Sequence, residues 1–126
     1  MLLSSRVLLG CAAPMGAAGV MLAAMTTHLS GGGILSTAAL FLLLHAAAVT
    51  GLAAMVPHFQ RARPVLVGAT GLIIAGTLLF SVDLALRQLA GTKLLWGTAP
   101  FGGGAMIVGW LGVAVAALVD GPPPTR

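Results

Sequence analysis

An all-α membrane protein is the fold class this sequence predicts: a four-transmembrane-helix up-and-down bundle with both termini on the same, cytoplasmic, side. Three observations predict it. First, 59% of the 126 residues are hydrophobic and only 6% are charged, against about 25% charged in an ordinary soluble domain. Second, the six basic and two acidic residues divide the chain into four apolar blocks. Each block is roughly 18–23 residues long, and about 20 are needed to cross a hydrocarbon layer about 30 Å thick. Third, no run alternates with period two over a strand's length, which argues against a membrane barrel. Lipid offers the backbone no hydrogen bonds, so each block must satisfy its own by winding into a helix. The chain is read as a single membrane domain, 1–126, with helices at 6–29, 34–57, 64–90 and 101–120.

Helix one is expected from the block Val7–His28, which follows Arg6 and precedes Leu29-Ser30-Gly31-Gly32-Gly33. Pro14 and Gly16 interrupt it, so it is also the block best suited to lying on the surface. Proline is nonetheless tolerated where neighbouring helices satisfy the freed carbonyl. Leu8-Leu9-Gly10-Cys11 imitates a lipoprotein cleavage box. Only four residues separate Arg6 from Cys11 there, whereas a signal sequence needs about 7–15 apolar ones. Cys11, the single cysteine, is expected to behave as a small hydrophobe.

Helix two is expected from Ile34–Val56, ending at Pro57-His58-Phe59-Gln60-Arg61-Ala62-Arg63-Pro64. Its bulky stretch Leu40-Phe41-Leu42-Leu43-Leu44 suits contact with lipid or a partner protein on at least one side. Helix three is expected from Val65–Val82 and continues to Ala90. Helix four is expected from Gly102–Val119 and ends at Asp120-Gly121-Pro122. Between them, Gly91–Gly104 is too polar at its ends and too short in its apolar middle to span. It reads as an interfacial stretch, a turn at Thr98-Ala99-Pro100 and the start of helix four near Phe101. Small residues spaced four apart, such as Gly71 and Ala75, Ala105 and Gly109, or Gly112 and Ala116, let helix backbones approach, where dispersion holds membrane helices together.

Orientation follows from the basic residues. Arg6, Arg61, Arg63 and Arg126 fall on the side of the termini, and Arg87 and Lys93 on the other. Cytoplasmic loops are enriched in Lys and Arg, which predicts a multi-pass protein of a bacterial inner membrane. Abundant Ala and Gly, with Arg favoured over Lys, point to a GC-rich bacterial genome. No basic run of the kind that tracks nucleic acid is present.

Polar residues inside apolar blocks are the natural candidates for function. His45 lies about 16 Å along helix two at a rise of about 1.5 Å per residue, near mid-membrane, and Asp83 about 28 Å along helix three. Arg87 is one turn beyond Asp83 and placed to pair with it. His28, Asp83, Arg87, Lys93 and Trp96 are therefore expected near one interface. The four candidates for a polar contact or a lipid or quinone site are His45, His28, Asp83 and Arg87. For Asp83 and Arg87 the competing reading is a structural pair. For His45 it is a neutral imidazole bonded to a backbone carbonyl or to a hydroxyl on a neighbouring helix. Haem ligation would need two imidazoles at one depth, and His28 is roughly 16 Å away along the membrane normal. Trp96 and Trp110 have the character of interface anchors, although Trp110 lies deep enough in helix four to pack on a neighbour instead. The methionines show no metal-ligand spacing. No catalytic residue, metal or cofactor is expected, and no nucleophile and base share one depth.

The segments Leu79-Phe80-Ser81, Trp96-Gly97-Thr98-Ala99-Pro100-Phe101-Gly102-Gly103-Gly104 and Gly109-Trp110-Leu111 resemble the small membrane proteins of domain-of-unknown-function family 423, which includes the transmembrane protein 256 group. Thr27-His28-Leu29 is similar to that family's motif at the end of helix one, and Ser36-Thr37-Ala38 with His45 to its stretch in helix two. The chain differs in carrying Leu40–Leu44 before His45, Met25-Thr26-Thr27 around His28, Ala99 between Thr98 and Pro100, and Asp83 where a small or hydroxyl residue is usual. The resemblance implies four membrane helices and no established chemistry.

These readings lead to an expected role as a non-catalytic accessory or structural subunit of a larger membrane complex, of respiratory or photosynthetic type. Its partners would be the lipid bilayer and other membrane subunits, with no nucleic acid. The alternative is a small oligomeric transporter or channel with His45 near the pathway.

Overall fold

The computed structural model describes residues 1–28, 33–122 and 125. They form four long helices: α1 (Leu3–His28), α2 (Gly33–Met55), α3 (Arg63–Ala90) and α4 (Ala99–Val119). Each is long and apolar enough to cross a membrane. The glycine-rich connection predicted at Leu29–Gly33 falls on 29–32, outside the described residues, as does Arg126.

The helix ends depart from the sequence expectation in ways that local chemistry explains. α1 begins at Leu3 rather than residue 6, because an arginine near a helix end can carry its charge back to the interface on a long stem. Pro57 follows the end of α2, and the chain tightens there into a 3₁₀ turn at Val56–His58. α4 begins at Ala99, not near Phe101, so Pro100 sits inside its first turn. Proline is favoured there because its missing N–H would have had no helical partner. α3 ends at Gly91, whose φ of 65° is the left-handed conformation that glycine adopts without a Cβ penalty.

The helices associate as two hairpins. In the first, α1 lies against α2: Gly16 faces Ala46, and a Cβ on Gly19 would come within 2.8 Å of the Leu43 side chain. In the second, α3 lies against α4 along a seam of glycines. A Cβ on Gly76 would lie 2.7 Å from the Gly102 carbonyl oxygen, one on Gly102 2.5 Å from that of Gly76, and one on Gly109 3.0 Å from that of Ala69. Backbone therefore meets backbone, the close approach that membrane helices use in place of a hydrophobic force. Gly71 has nothing within 4 Å of its Cβ position and Ala75 is exposed, so the predicted Gly71–Ala75 pair is not part of the seam. The working phase is Ala69, Ile73 and Gly76, one helical stripe.

The hairpins join through α2 and α3, where Leu42, Val49, Leu66 and Ile73 are buried in one cluster. No Cα of α4 comes within 8 Å of a Cα of α1 or α2. The α4 backbone thus packs against that of α3 alone, and Phe101, Ile107, Leu111 and Leu118 are exposed. The bulky stretch of α2 divides as its helical phase requires: Leu42 is buried, while Leu40 and Leu44 face outward.

Candidate functional site

Two polar centres lie within the helices. The first is Asp83, whose side chain is fully buried. An isolated carboxylate there would be prohibitively costly, and α3 supplies its partner one turn on: Arg87 Nη2 donates to Oδ2 at 2.6 Å. Two backbone amides complete the set. The Leu94 N–H donates to Oδ1 at 2.8 Å and the Ala99 N–H to Oδ2 at 3.0 Å. Ala99 is the first residue of α4, so the Asp83 carboxylate caps the neighbouring helix, where the end charge of the helix dipole favours an anion. Thr98 also ties the loop to α3, its hydroxyl donating to the Leu79 carbonyl at 2.9 Å.

This anchoring shapes the connection. Gly97 donates its N–H to the Leu94 carbonyl at 2.9 Å and has φ 100°. Its missing Cβ would stand 3.0 Å from Arg87 Nη2. Leu95 sits at φ 54°, a conformation that strains a residue with a Cβ. The turn leaves Leu95 and Trp96 exposed. That position suits an indole at a membrane interface.

The second centre is His45, near the middle of α2. Its Nδ1 lies 2.9 Å from the Phe41 carbonyl oxygen, and its Nε2 accepts from Trp110 Nε1 on α4 at 3.3 Å. These partners fix the tautomer by elimination. An indole N–H only donates and a carbonyl only accepts, so Nδ1 carries the proton and Nε2 the lone pair. This pattern of bonds requires a ring with one proton, because a second would set donor against donor at Trp110. Phe41 stacks on the ring at 5.7 Å and meets Phe80 of α3 at 4.6 Å. Trp110 thus bridges α4 to α2 where their backbones do not touch. The W110F variant is expected to cost about 1 kcal/mol by leaving Nε2 without a donor. Imidazole nitrogen NMR of the wild type should show the neutral Nδ1–H form; a charged or Nε2–H ring would contradict the assignment.

Of the four sequence candidates, the structure brings Asp83 and Arg87 together. His28 ends α1 exposed and is not among the partners of Asp83. His45 is separate again, bonded to Phe41 and Trp110. Lys93 is exposed in the loop. Among the described residues, no three His, Cys, Asp or Glu side chains are grouped as a metal site would require.

Sequence reasoning missed Asp120. At the end of α4, its Oδ1 accepts the N–H of Gln60 at 3.1 Å and of Ala62 at 2.9 Å. Ala62 is the N-cap of α3. The chain's two acids are therefore used reciprocally: Asp83 on α3 caps the start of α4, and Asp120 at the end of α4 caps the start of α3. The visible signal was an acid directly after an apolar helix, at the level where an antiparallel neighbour begins. The Ala62 N–H, then that of Gln60, holds the Asp120 carboxyl below its ordinary value of 3.8, against partial desolvation. A depressed folded-state value means that the clamp is complete above pH 3.8 and is lost as pH falls through the lowered value. Hydrogen exchange at the Gln60 and Ala62 amides should accelerate across that acid range relative to amides elsewhere in the helices. D120A should lack this protection already at neutral pH.

An all-helical chain with four membrane-length helices, in which His45 and Asp83 are bonded to other side chains and to the backbone, is a small multi-pass membrane protein. Comparison with family models places it further: the model described as Protein of unknown function (DUF423) matches residues 15–103. The chain belongs to that family. The match takes in His28, His45, Asp83 and Arg87 and stops early in α4, so Trp110 and Asp120 lie beyond it. A search of curated proteins and a search of solved structures each found no match.

Proposed function

We propose that this protein is a non-catalytic accessory or structural subunit of a larger membrane complex, of respiratory or photosynthetic type. It would sit in a bacterial inner membrane with its helices crossing up and down. The distribution of Arg6, Arg61, Arg63 and Arg126 against Arg87 and Lys93 supports termini on the cytoplasmic side.

One observation carries the reading. The intramembrane polar centres serve the protein's own structure, His45 through Phe41 and Trp110, Asp83 through Arg87 and two amides. Meanwhile the α4 backbone packs against α3 alone, and the helix offers an apolar face along its length. Transport sites are built from broken helices and ionisable groups at the membrane midplane, whereas here both nitrogens of the midplane histidine are bonded within the protein. Such a molecule contributes surface rather than chemistry.

Membranes solubilised gently and run on a native gel, probed with an antibody to the C-terminal tail, test this. Migration with a large complex is expected, and H45L should still assemble there. Migration as a small homo-oligomer, with a transport defect in H45L, would favour the channel or transporter instead.

A further inference from the structure

The turn between α3 and α4 gathers more positive charge than the chain can balance. Arg87 and Lys93 meet over Gly97. The place of a Cβ on Gly97 is 3.0 Å from Arg87 Nη2 and 3.7 Å from Lys93 Cδ, so both long side chains border the space that the glycine leaves empty. The chain holds only two acids. Asp120 serves the other end of the hairpin, at Gln60 and Ala62, about 36 Å of helical rise from Arg87. That is several times the screening length of about 8–10 Å in physiological salt. Asp83 is fully buried and already accepts from Arg87, Leu94 and Ala99. One acid therefore answers two cations, and the counter-charge for Lys93 comes from outside the chain.

Both cations are within reach of a ligand. Lys93 is exposed, and so is a third of the Arg87 side chain. Arg87 gives Asp83 a single bond, from Nη2, rather than the two-pronged pairing open to a guanidinium. Its Nε is enclosed and plays no part. Nη1 is neither enclosed nor bonded among the described residues, and Nη2 carries a second proton. Such donors match the oxygens of a phosphate, and the lysine adds a compact charge on a flexible stem. Gly97 keeps the space open, because its φ of 100° disfavours any side chain there.

The neighbours select the kind of anion. Leu95 is held at φ 54°, which strains a residue with a Cβ. The turn leaves Leu95 exposed and Trp96 95% exposed. Two large apolar side chains thus stand outward beside two cations, at the end of helices of membrane length. Water penalises that arrangement, whereas the headgroup layer of a bilayer accommodates it: an indole settles among headgroups, and basic residues beside a membrane helix attract anionic lipid.

We propose that Arg87, Lys93 and Gly97 form a binding site for the phosphate of an anionic phospholipid, with Leu95 and Trp96 seated beside its glycerol and upper chains.

The full chain is purified in dodecyl maltoside, an uncharged detergent without phosphate, and the backbone amides of Lys93 and Gly97 are followed by NMR. Three probes are titrated separately: palmitoyl-oleoyl phosphatidylglycerol, palmitoyl-oleoyl phosphatidylcholine and inorganic phosphate. Saturable shifts at both amides are expected with phosphatidylglycerol, at a several-fold lower concentration than with either of the others. Lys93 is exposed and lies outside the helices, so K93Q should keep the fold and weaken the phosphatidylglycerol response at Gly97 several-fold. R61Q, which removes an exposed cation at the opposite end of α3, should leave that response unchanged. A wild type that answers both lipids equally overturns the proposal, and this comparison needs no variant to fold. An equal response to inorganic phosphate would make the site one for the free anion and overturns the lipid assignment. Shifts confined to residues around Arg61, or a K93Q response equal to that of the wild type, place the lipid elsewhere and overturn it too.

Discussion

Replacing Asp83 with alanine should destabilise the α3–α4 hairpin by about 3–5 kcal/mol, the range for removing one partner of a buried ion pair. The estimate belongs at the lower end for the charge itself, because the Arg87 side chain is 32% exposed and can recover water. The two amides add to it. The N–H groups of Leu94 and Ala99 lose their acceptor together, and a buried unsatisfied group costs about 1–3 kcal/mol. Against a total stability of about 5–15 kcal/mol, the variant should unfold at a much lower temperature in detergent. Tryptophan fluorescence can follow this, since Trp96 and Trp110 flank the affected region. R87A should be milder, because Asp83 keeps both amides. The double variant should match D83A closely, because Arg87 acts through Asp83. A D83A protein within about 0.5 kcal/mol of wild type, the range of ordinary surface substitutions, would show that the carboxylate does not organise the loop.

The glycine seam supplies the second large effect. Gly102, Gly103 and Gly104 are consecutive, yet only the first is confined. A Cβ on Gly102 would lie 2.5 Å from the Gly76 oxygen and 2.6 Å from the Phe80 nitrogen, whereas on Gly103 and Gly104 it would meet nothing within 4 Å. The obstructing atoms are backbone and cannot turn aside. G102A should therefore cost about 1–3 kcal/mol, the usual range for overpacking, and G102L more, as the helices are forced apart. G104L should leave stability unchanged, or raise it slightly by removing a flexible residue from a helix. Thermal unfolding of the three variants, compared side by side, tests the register of α4 on α3 directly. Equal effects at 102 and 104 would mean that a different face of α4 packs inward.

The helices were legible because the signal that defines them is local. Eighteen or more apolar residues between charges announce a membrane-length helix whatever the neighbours do, so the blocks around Leu40 or Val113 could be read from composition. The pairing of Asp83 with Arg87 was legible for the same reason, since residues four apart on a helix are neighbours. What escaped depended on relative position between distant segments. Nothing in the chain announces that Trp110 reaches His45, because that requires the phases of two helices held apart by a third. Of the small residues read from the sequence, Ala105, Gly109 and Gly112 lie in the seam and Gly71 does not: small residues abound in α3, and only the rotation of the helix on α4 selects Gly76. Asp120 was read as the end of a helix, when its work is done on Ala62.

The reciprocal caps also set an order of assembly. Ala62 and its acceptor Asp120 are 58 positions apart. At roughly 5–20 residues per second of synthesis, several seconds pass before the ribosome makes that acceptor. Throughout that interval the start of α3 has an open amide, while the Asp83 end can close as soon as Ala99 is in place. The hairpin is therefore zipped from its loop toward its ends, and the newborn chain reaches its finished form only when the last turn of its last helix arrives.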